Sequence, residues 1–396
     1  MNNKSNFLLM LISIIFVFSC NNKSSKKVET SITGTQKSYS GKAMNHSYDK
    51  EIDGIISQMT LEEKTGMLHG TSMFTTAGVE RLGVPELKMA DGPLGVREEI
   101  SRSSWAPLGI DTDYATYYPA GAGLSATWNP ELAYVFGNSV GEESRARDKD
   151  VLLSPAINII RTPLGGRTYE YFTEDPFLNK KLAVPFIVGL QENDVAACVK
   201  HYAANNQETN RDFVDVQIDE RALREIYLPV FKAAVKEANA YSMMGAYNKF
   251  RGEYLCENSA MLNDVLRDEW GFEGVVISDW AAVHTSVNSL KSGLDIEMGT
   301  PKPFNEFFLA DALIDSVKAG KISEVEIDKH VKRILQLMYT LKSMGGEARK
   351  KGSINTEAHF KDAYDIAAES VVLLKNDKNL LPLNTSEMKS IAVIGA

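Results

Sequence analysis

Short apolar runs alternate with longer amphipathic stretches along most of this chain, which predicts repeated β/α units around a parallel sheet. Strands are expected at "ELKMA" ending at Asp91, "DVLLSP" ending near Pro155, and "VAACVKHY" ending near Lys200. The series continues with "YSMMGAYN" around Met244, "GVVISD" ending at Asp279, and "GLDIEM" near Glu297. Helices fill the gaps. "NPELAYVFGNSVGEESRA" opens with Asn129 as a cap and Pro130 at the first helical position, and its Leu132, Val135, Phe136 and Val140 share one face. "DERALREIYLPVFKAAVKEA" opens with Asp219 as its cap and aligns Leu223, Tyr227, Val230, Phe231 and Ala234. "SEVEIDKHVKRILQLMYTL" places Ile327, Val331, Ile334, Leu335 and Met338 on one stripe. The predicted fold class is α/β, with a (β/α)8 TIM-like barrel over residues 49–342.

The two ends break the pattern. Residues 1–20, "MNNKSNFLLMLISIIFVFSC", carry one lysine, an apolar run from Phe7 to Phe18, then Ser19 and Cys20. That is the layout of an export signal, and the run is short for a bilayer crossing. The cysteine in this place resembles a bacterial lipoprotein signal, with Cys20 as the lipidated first residue of an exported, periplasmic or outer-membrane protein. Residues 21–48 are polar with little to bury and read as a flexible tether. A Gly- and Lys-rich stretch over 343–368 reads as a linker. Residues 369–396, with "SVVLLKN" and "SIAVIGA", read as the start of a truncated α/β sandwich domain.

Composition narrows the function. With a net charge of −9 and a pI near 5.4, the chain lacks the basic excess that nucleic acid binding needs, so no nucleic-acid partner is expected. No GxxxxGK[ST] phosphate cradle occurs, and the six histidines, at 46, 69, 201, 284, 330 and 359, are scattered. Neither a cofactor nor a metal is expected. Cys198 sits in an apolar run and reads as a buried free thiol rather than half of a disulfide.

The candidate chemistry lies at strand ends. Asp91, Lys200, His201, Tyr247 and Asp279 follow apolar strands, and Arg161 and Arg167 lie in the loop after "DVLLSPAINII". Each residue alone also has a structural reading: Asp279 as a helix cap, Lys200 and His201 as a rim pair, Arg167 in an ion network with Glu170, Glu174 and Asp175. As a set they suit a sugar. A carboxylate beside cations is expected to keep a low pKa and stay ionised, as a nucleophile must. Asp91, Arg167 and Lys200 offer charge-assisted hydrogen bonds to hydroxyls, and Trp280 offers an apolar face for a pyranose ring.

Five stretches, "ADGPLGVR" (90–97), "NIIRTPLGGRTYEYFTEDP" (158–176), "KHYAANNQETNR" (200–211), "MMGAYN" (243–248) and "GVVISDW" (274–280), resemble, in order, the blocks of family 3 glycoside hydrolases of the β-glucosidase type. The resemblance implies an exo-acting retaining enzyme that releases terminal β-linked glucose from oligosaccharides or glycosides. It implies Asp279 as the nucleophile. Asp91, Arg167, Lys200 and His201 would hold the first sugar, with Tyr247 and Trp280 beside the nucleophile. Retaining glycosidases need a second carboxyl as acid/base. That group is expected beyond residue 396, because "KHYAANNQETNR" lacks the Pro-Gly-rich histidine motif of the hexosaminidase branch, and nothing singles out Glu208. Thr162 departs from the aspartate that many members carry. A β-xylosidase or broader β-glycosidase is the alternative within the family. From other classes come a barrel aldolase with a Schiff-base Lys200 and a non-catalytic carbohydrate-binding lipoprotein.

Overall fold

In a computed structural model, residues 37–300 and 302–395 are described. The expected signal segment, Cys20 and most of the tether therefore lie outside the described residues. Residues Tyr39–Ala396 form one compact unit.

Five of the expected strands form: β1 Met89–Asp91, β2 Val151–Leu153, β3 Ala196–Tyr202, β4 Ser242–Gly245 and β5 Val275–Ser278. They pair in parallel and in sequence order, β1-β2-β3-β4-β5. All but Asp91 are fully buried, as strands covered on both faces must be. The sheet curls, and backbone bonds carry the curl onward. Ile296 bridges Ile277 in parallel, and Glu297 bridges His69 in parallel. Thr75 then meets Lys88 in an antiparallel bridge, just before β1. The architecture is thus a TIM-like curled barrel of the α/β class. The "GLDIEM" segment takes part through single bridges, and the step beside β1 is antiparallel.

Helices cover the outside. Pro130–Ala146 begins as expected, with the Asn129 side chain accepting from the Glu131 N–H at 3.0 Å and Pro130 at the first position. It crosses Pro176–Gln191 at glycines: a Cβ on Gly137 would overlap the Phe186 carbonyl, and one on Gly189 the Tyr134 carbonyl. The helix expected after Asp219 is interrupted. Glu220–Ala222 gives way to a wide π-type turn over Leu223–Tyr227, where Leu228 N–H bonds back five residues to the Leu223 carbonyl at 2.9 Å. Pro229, which has no N–H to give and whose ring crowds the preceding turn, restarts the helix as Pro229–Lys236.

Both expected flexible segments are partly folded. Tether residues from Tyr39 on dock against the body: Gly41 N–H donates to the Glu237 carbonyl at 3.0 Å, and the Tyr48 and Tyr339 rings stack at 4.3 Å. The stretch read as a linker contains the helix Glu357–Ser370, capped by Thr356. His359, Ala363 and Ile366, spaced by four and three, turn inward, so a helical period lay under the polar composition. Residues 371–376 and 390–395 form no strand and are largely exposed, since a strand needs a neighbouring ladder. Cys198 and Cys256 are buried free thiols.

Candidate active site

Asp91, Arg167, Lys200, His201, Tyr247, Asp279 and Trp280 all line one cavity of about 180 Å³ at the C-terminal mouth of the barrel. Arg161 does not: its side chain is exposed. Strand direction explains the convergence, because parallel strands put all their ends on one face. Lys200 and His201 are consecutive, yet both reach the cavity. The ladder between β3 and β4 is irregular between Val199 and Tyr202, and such a bulge re-aims side chains. The Lys200–His201 peptide bond is cis. The Asn158 side chain brackets His201, accepting from its N–H at 2.7 Å and donating to its carbonyl at 2.9 Å.

Asp279 follows β5, its N–H bonded to the Gly245 carbonyl at 3.0 Å. Its Oδ1 accepts from the Trp280 N–H at 2.8 Å. Its Oδ2 is buried and makes no close hydrogen bond among the described residues, with His201 Nε2 at 3.5 Å. Burial raises the Asp279 pKa above the ordinary value, and the opposing pull of Arg167, the Trp280 N–H, Lys200 and Tyr247 does not fully cancel it. This corrects the expectation of a depressed pKa: the cations are present, but removal from water outweighs them. Asp91 behaves the other way. Burial raises its pKa, but Lys200, whose Nζ lies 3.1 Å from Oδ1, together with the Gly92 N–H and Arg97, brings it below the usual value.

His201 is neutral near pH 7, because complete burial and the neighbouring Arg167, Lys200 and Arg211 hold its pKa well down. Its Nδ1 lies 3.3 Å from the Tyr171 hydroxyl. Lys200 keeps its charge: burial lowers its pKa, but Asp91 and Glu170 more than compensate. That argues against a Schiff-base lysine, which needs a depressed pKa. Arg167 pairs with buried Glu170 and lies 3.8 Å from Glu208. Glu208 also takes a 2.7 Å bond from Arg211, so this carboxylate is held by guanidinium groups. Glu174 and Asp175 have no part in the cluster; Asp175 caps the helix Pro176–Gln191.

The cavity has further walls beyond the expected residues: Leu153 and Met244 from β2 and β4, and Phe74, Trp105 and Arg211, which the strand-end rule does not find. Arg211 lies over the Tyr247 ring, 4.2 Å from its centroid. It closes the quoted block "KHYAANNQETNR" and could have been proposed from its charge. Phe74 and Trp105 come from irregular loops without periodicity; the one available signal was a tryptophan in the polar run "SRSSWAP". Among the described residues, no group of His, Cys, Asp and Glu is arranged to hold a metal ion.

The chain is similar to known proteins over most of its length. The family model "Glycosyl hydrolase family 3 N terminal domain" matches residues 51–337. A beta-glucosidase of Bacteroides ovatus is 44% identical over 358 residues, covering 87% of this chain and 48% of the relative. An exo-alpha-(1->6)-L-arabinopyranosidase of Bifidobacterium breve is 39% identical, covering 86% of this chain and 45% of its own. The solved structure of beta-glucosidase 3B from Thermotoga neapolitana in complex with glucose superposes with a TM-score of 0.77 at 40% identity, over 84% of this chain and 48% of that one. The chain spans about half the length of these relatives. With five sequence blocks, the curled barrel and the family model in agreement, this chain belongs to glycosyl hydrolase family 3, of which it carries the N-terminal domain.

Proposed function

We propose that the protein is a retaining, exo-acting glycoside hydrolase that releases terminal β-linked glucose, with Asp279 as its nucleophile. One observation carries this: the buried Asp279 Oδ2, near Tyr247, has no close hydrogen-bond partner among the described residues and sits in a cavity whose other walls offer charged donors and acceptors for hydroxyls. The cavity of about 180 Å³ is below the ~300 Å³ at which sites for drug-sized ligands begin, which suits a single sugar ring. Asp91 and Lys200 hold each other's charge and take ring hydroxyls, Arg167 and Arg211 face the same space, and Trp280 lies against the ring.

In the first step Oδ2 bonds to the anomeric carbon, the bond from that carbon to the leaving oxygen breaks, and the leaving oxygen takes a proton. In the second step water displaces Asp279 and loses its proton to the same acid/base. That acid/base is proposed to come from sequence beyond residue 396, in keeping with relatives about twice as long. A wider pyranosidase specificity, including β-xylosides, is the second reading, favoured by the 39% identity to an arabinopyranosidase. Export and lipid attachment at Cys20 belong to the same proposal, and the mass of the mature N-terminal peptide tests them.

The nucleophile is tested with a 2,4-dinitrophenyl 2-deoxy-2-fluoro-β-glucoside, whose leaving group departs without an acid. Peptide mass spectrometry is expected to find the fluoroglucosyl group on Asp279. An adduct on another residue overturns Asp279 as the nucleophile, and no adduct on the full-length protein with either this reagent or its xylosyl analogue overturns the glycosidase reading and leaves a non-catalytic sugar binder.

A further inference from the structure

An aromatic series leads out of the cavity. Trp280, next to Asp279, is 8% exposed and anchored by its Nε1, which donates to the Met73 carbonyl at 3.1 Å. Phe74 follows, tilted against Trp280 with centroids 5.2 Å apart. Phe74 in turn meets Trp105 edge-on at 5.9 Å. Trp105 lines the cavity as well, yet is 44% exposed. The exposures therefore run from floor to rim, and of the two indoles that line the cavity Trp105 is the more exposed.

Trp105 is held in place although its loop has no regular structure. It sits on a tight turn closed by an antiparallel bridge between Ile100 and Pro107 and by the Ser101 N–H bond to the Ala106 carbonyl at 2.8 Å. The Arg102 carbonyl accepts from the Met73 N–H at 2.8 Å, tying the turn to the loop that carries Phe74. The Arg97 guanidinium lies 5.1 Å from the indole centroid. A large apolar ring left half in water and fixed by a cation and a hydrogen-bonded turn is preorganised for a ligand face.

We propose that Trp105 is a specificity-determining residue that forms a wall for the group leaving with the glycosidic oxygen, and that it favours a second pyranose or a flat aryl group there. The assignment rests on the glucosidase reading above. Sugars and aryl groups present flat C–H or π faces, and either can lie against an indole; a small leaving group leaves the wall unused.

The experiment compares cellobiose with β-glucosyl fluoride, whose leaving group is a single ion, on the full-length protein and on Trp105→Ala and Trp105→Phe. The ratio of kcat/KM for cellobiose over the fluoride is expected to fall about five- to tenfold in Trp105→Ala, as loss of an aromatic contact implies, and to recover partly in Trp105→Phe. An unchanged ratio, whether both substrates are unaffected or both decline together, overturns the assignment, the second case placing Trp105 against the first sugar. A wild-type protein that cleaves neither substrate overturns the glucosidase reading itself. Cleavage of both with an unchanged ratio in Trp105→Ala removes only the role of Trp105.

Discussion

Asp295→Asn is expected to be among the most damaging substitutions outside the cavity. Asp295 lies beside β5, the strand that leads to the proposed nucleophile, with its N–H bonded to the Val276 carbonyl at 2.9 Å, and its side chain is fully buried. Its Oδ2 accepts from Arg267 and from the Val276 N–H, each at 2.7 Å. Its Oδ1 accepts from Arg333 Nε and faces His330 Nδ1, each at 2.8 Å. Burial raises its pKa, but Arg333, Arg267 and His330 together drive it well below the ordinary carboxylate range. Arg267 is itself lowered to about 10, because burial outweighs the help it receives from Asp295. Asparagine keeps the shape but has one acceptor oxygen and no charge. It leaves two guanidinium groups without a counter-ion and turns an NH2 group toward at least one donor. Removing one partner of a buried ion pair costs about 3–5 kcal/mol. With a melting entropy of ~2.1 cal/mol/K per residue over the unit Tyr39–Ala396, that is a fall in Tm of roughly 4–7 °C. Chemical unfolding followed by circular dichroism measures the loss. The depressed pKa also gives a sign: this stabilisation is present above the unfolded value near ~3.9 and is lost as pH falls further, so the variant has a flatter acid limb. A loss below about 1 kcal/mol would refute the claim that this carboxylate holds the cluster together.

Two further substitutions test other parts of the structure. Glu297 is pushed up to about 7 chiefly by burial, against the pull of the Leu309 and Phe308 N–H groups. A folded pKa above the ordinary value of 4.5 gives stability that is complete below that value and lost as pH rises to about 7. Glu297→Gln, which can still accept from the Leu309 N–H, should therefore gain on the wild type between melting curves at pH 5 and at pH 8; parallel behaviour at both would contradict this. Gly137→Ala should force the helices Pro130–Ala146 and Pro176–Gln191 apart and cost about 1–3 kcal/mol, despite alanine's better helix propensity, and an unchanged unfolding midpoint would be incompatible with the close crossing.

The sequence pattern was enough to locate the five strands of the parallel sheet, the caps at Asn129 and Asp219, and seven side chains that prove to share one cavity, but not the short three-stranded sheet of Asp215–Val216, Lys249–Phe250 and Glu253–Tyr254. Those properties are local, or follow from one rule: parallel strands gather their C-terminal ends on one face, so a polar residue directly after an apolar run points there. The sequence alone could not decide what depends on neighbours distant in the chain. The direction of the Asp279 pKa is a balance between burial and two cations, Lys200 on β3 and Arg167 in the loop after β2, and it came out opposite to the expectation. Phe74 and Trp105 reach the cavity because the chain turns back beside β1, an antiparallel step that no periodicity announces. The helix Glu357–Ser370 stands where composition suggested a linker, because three inward residues found a surface to cover. Sequence pattern determines which residues can face a site. Burial, pair distances and register, which set their charge and their partners, exist only once the chain has closed on itself.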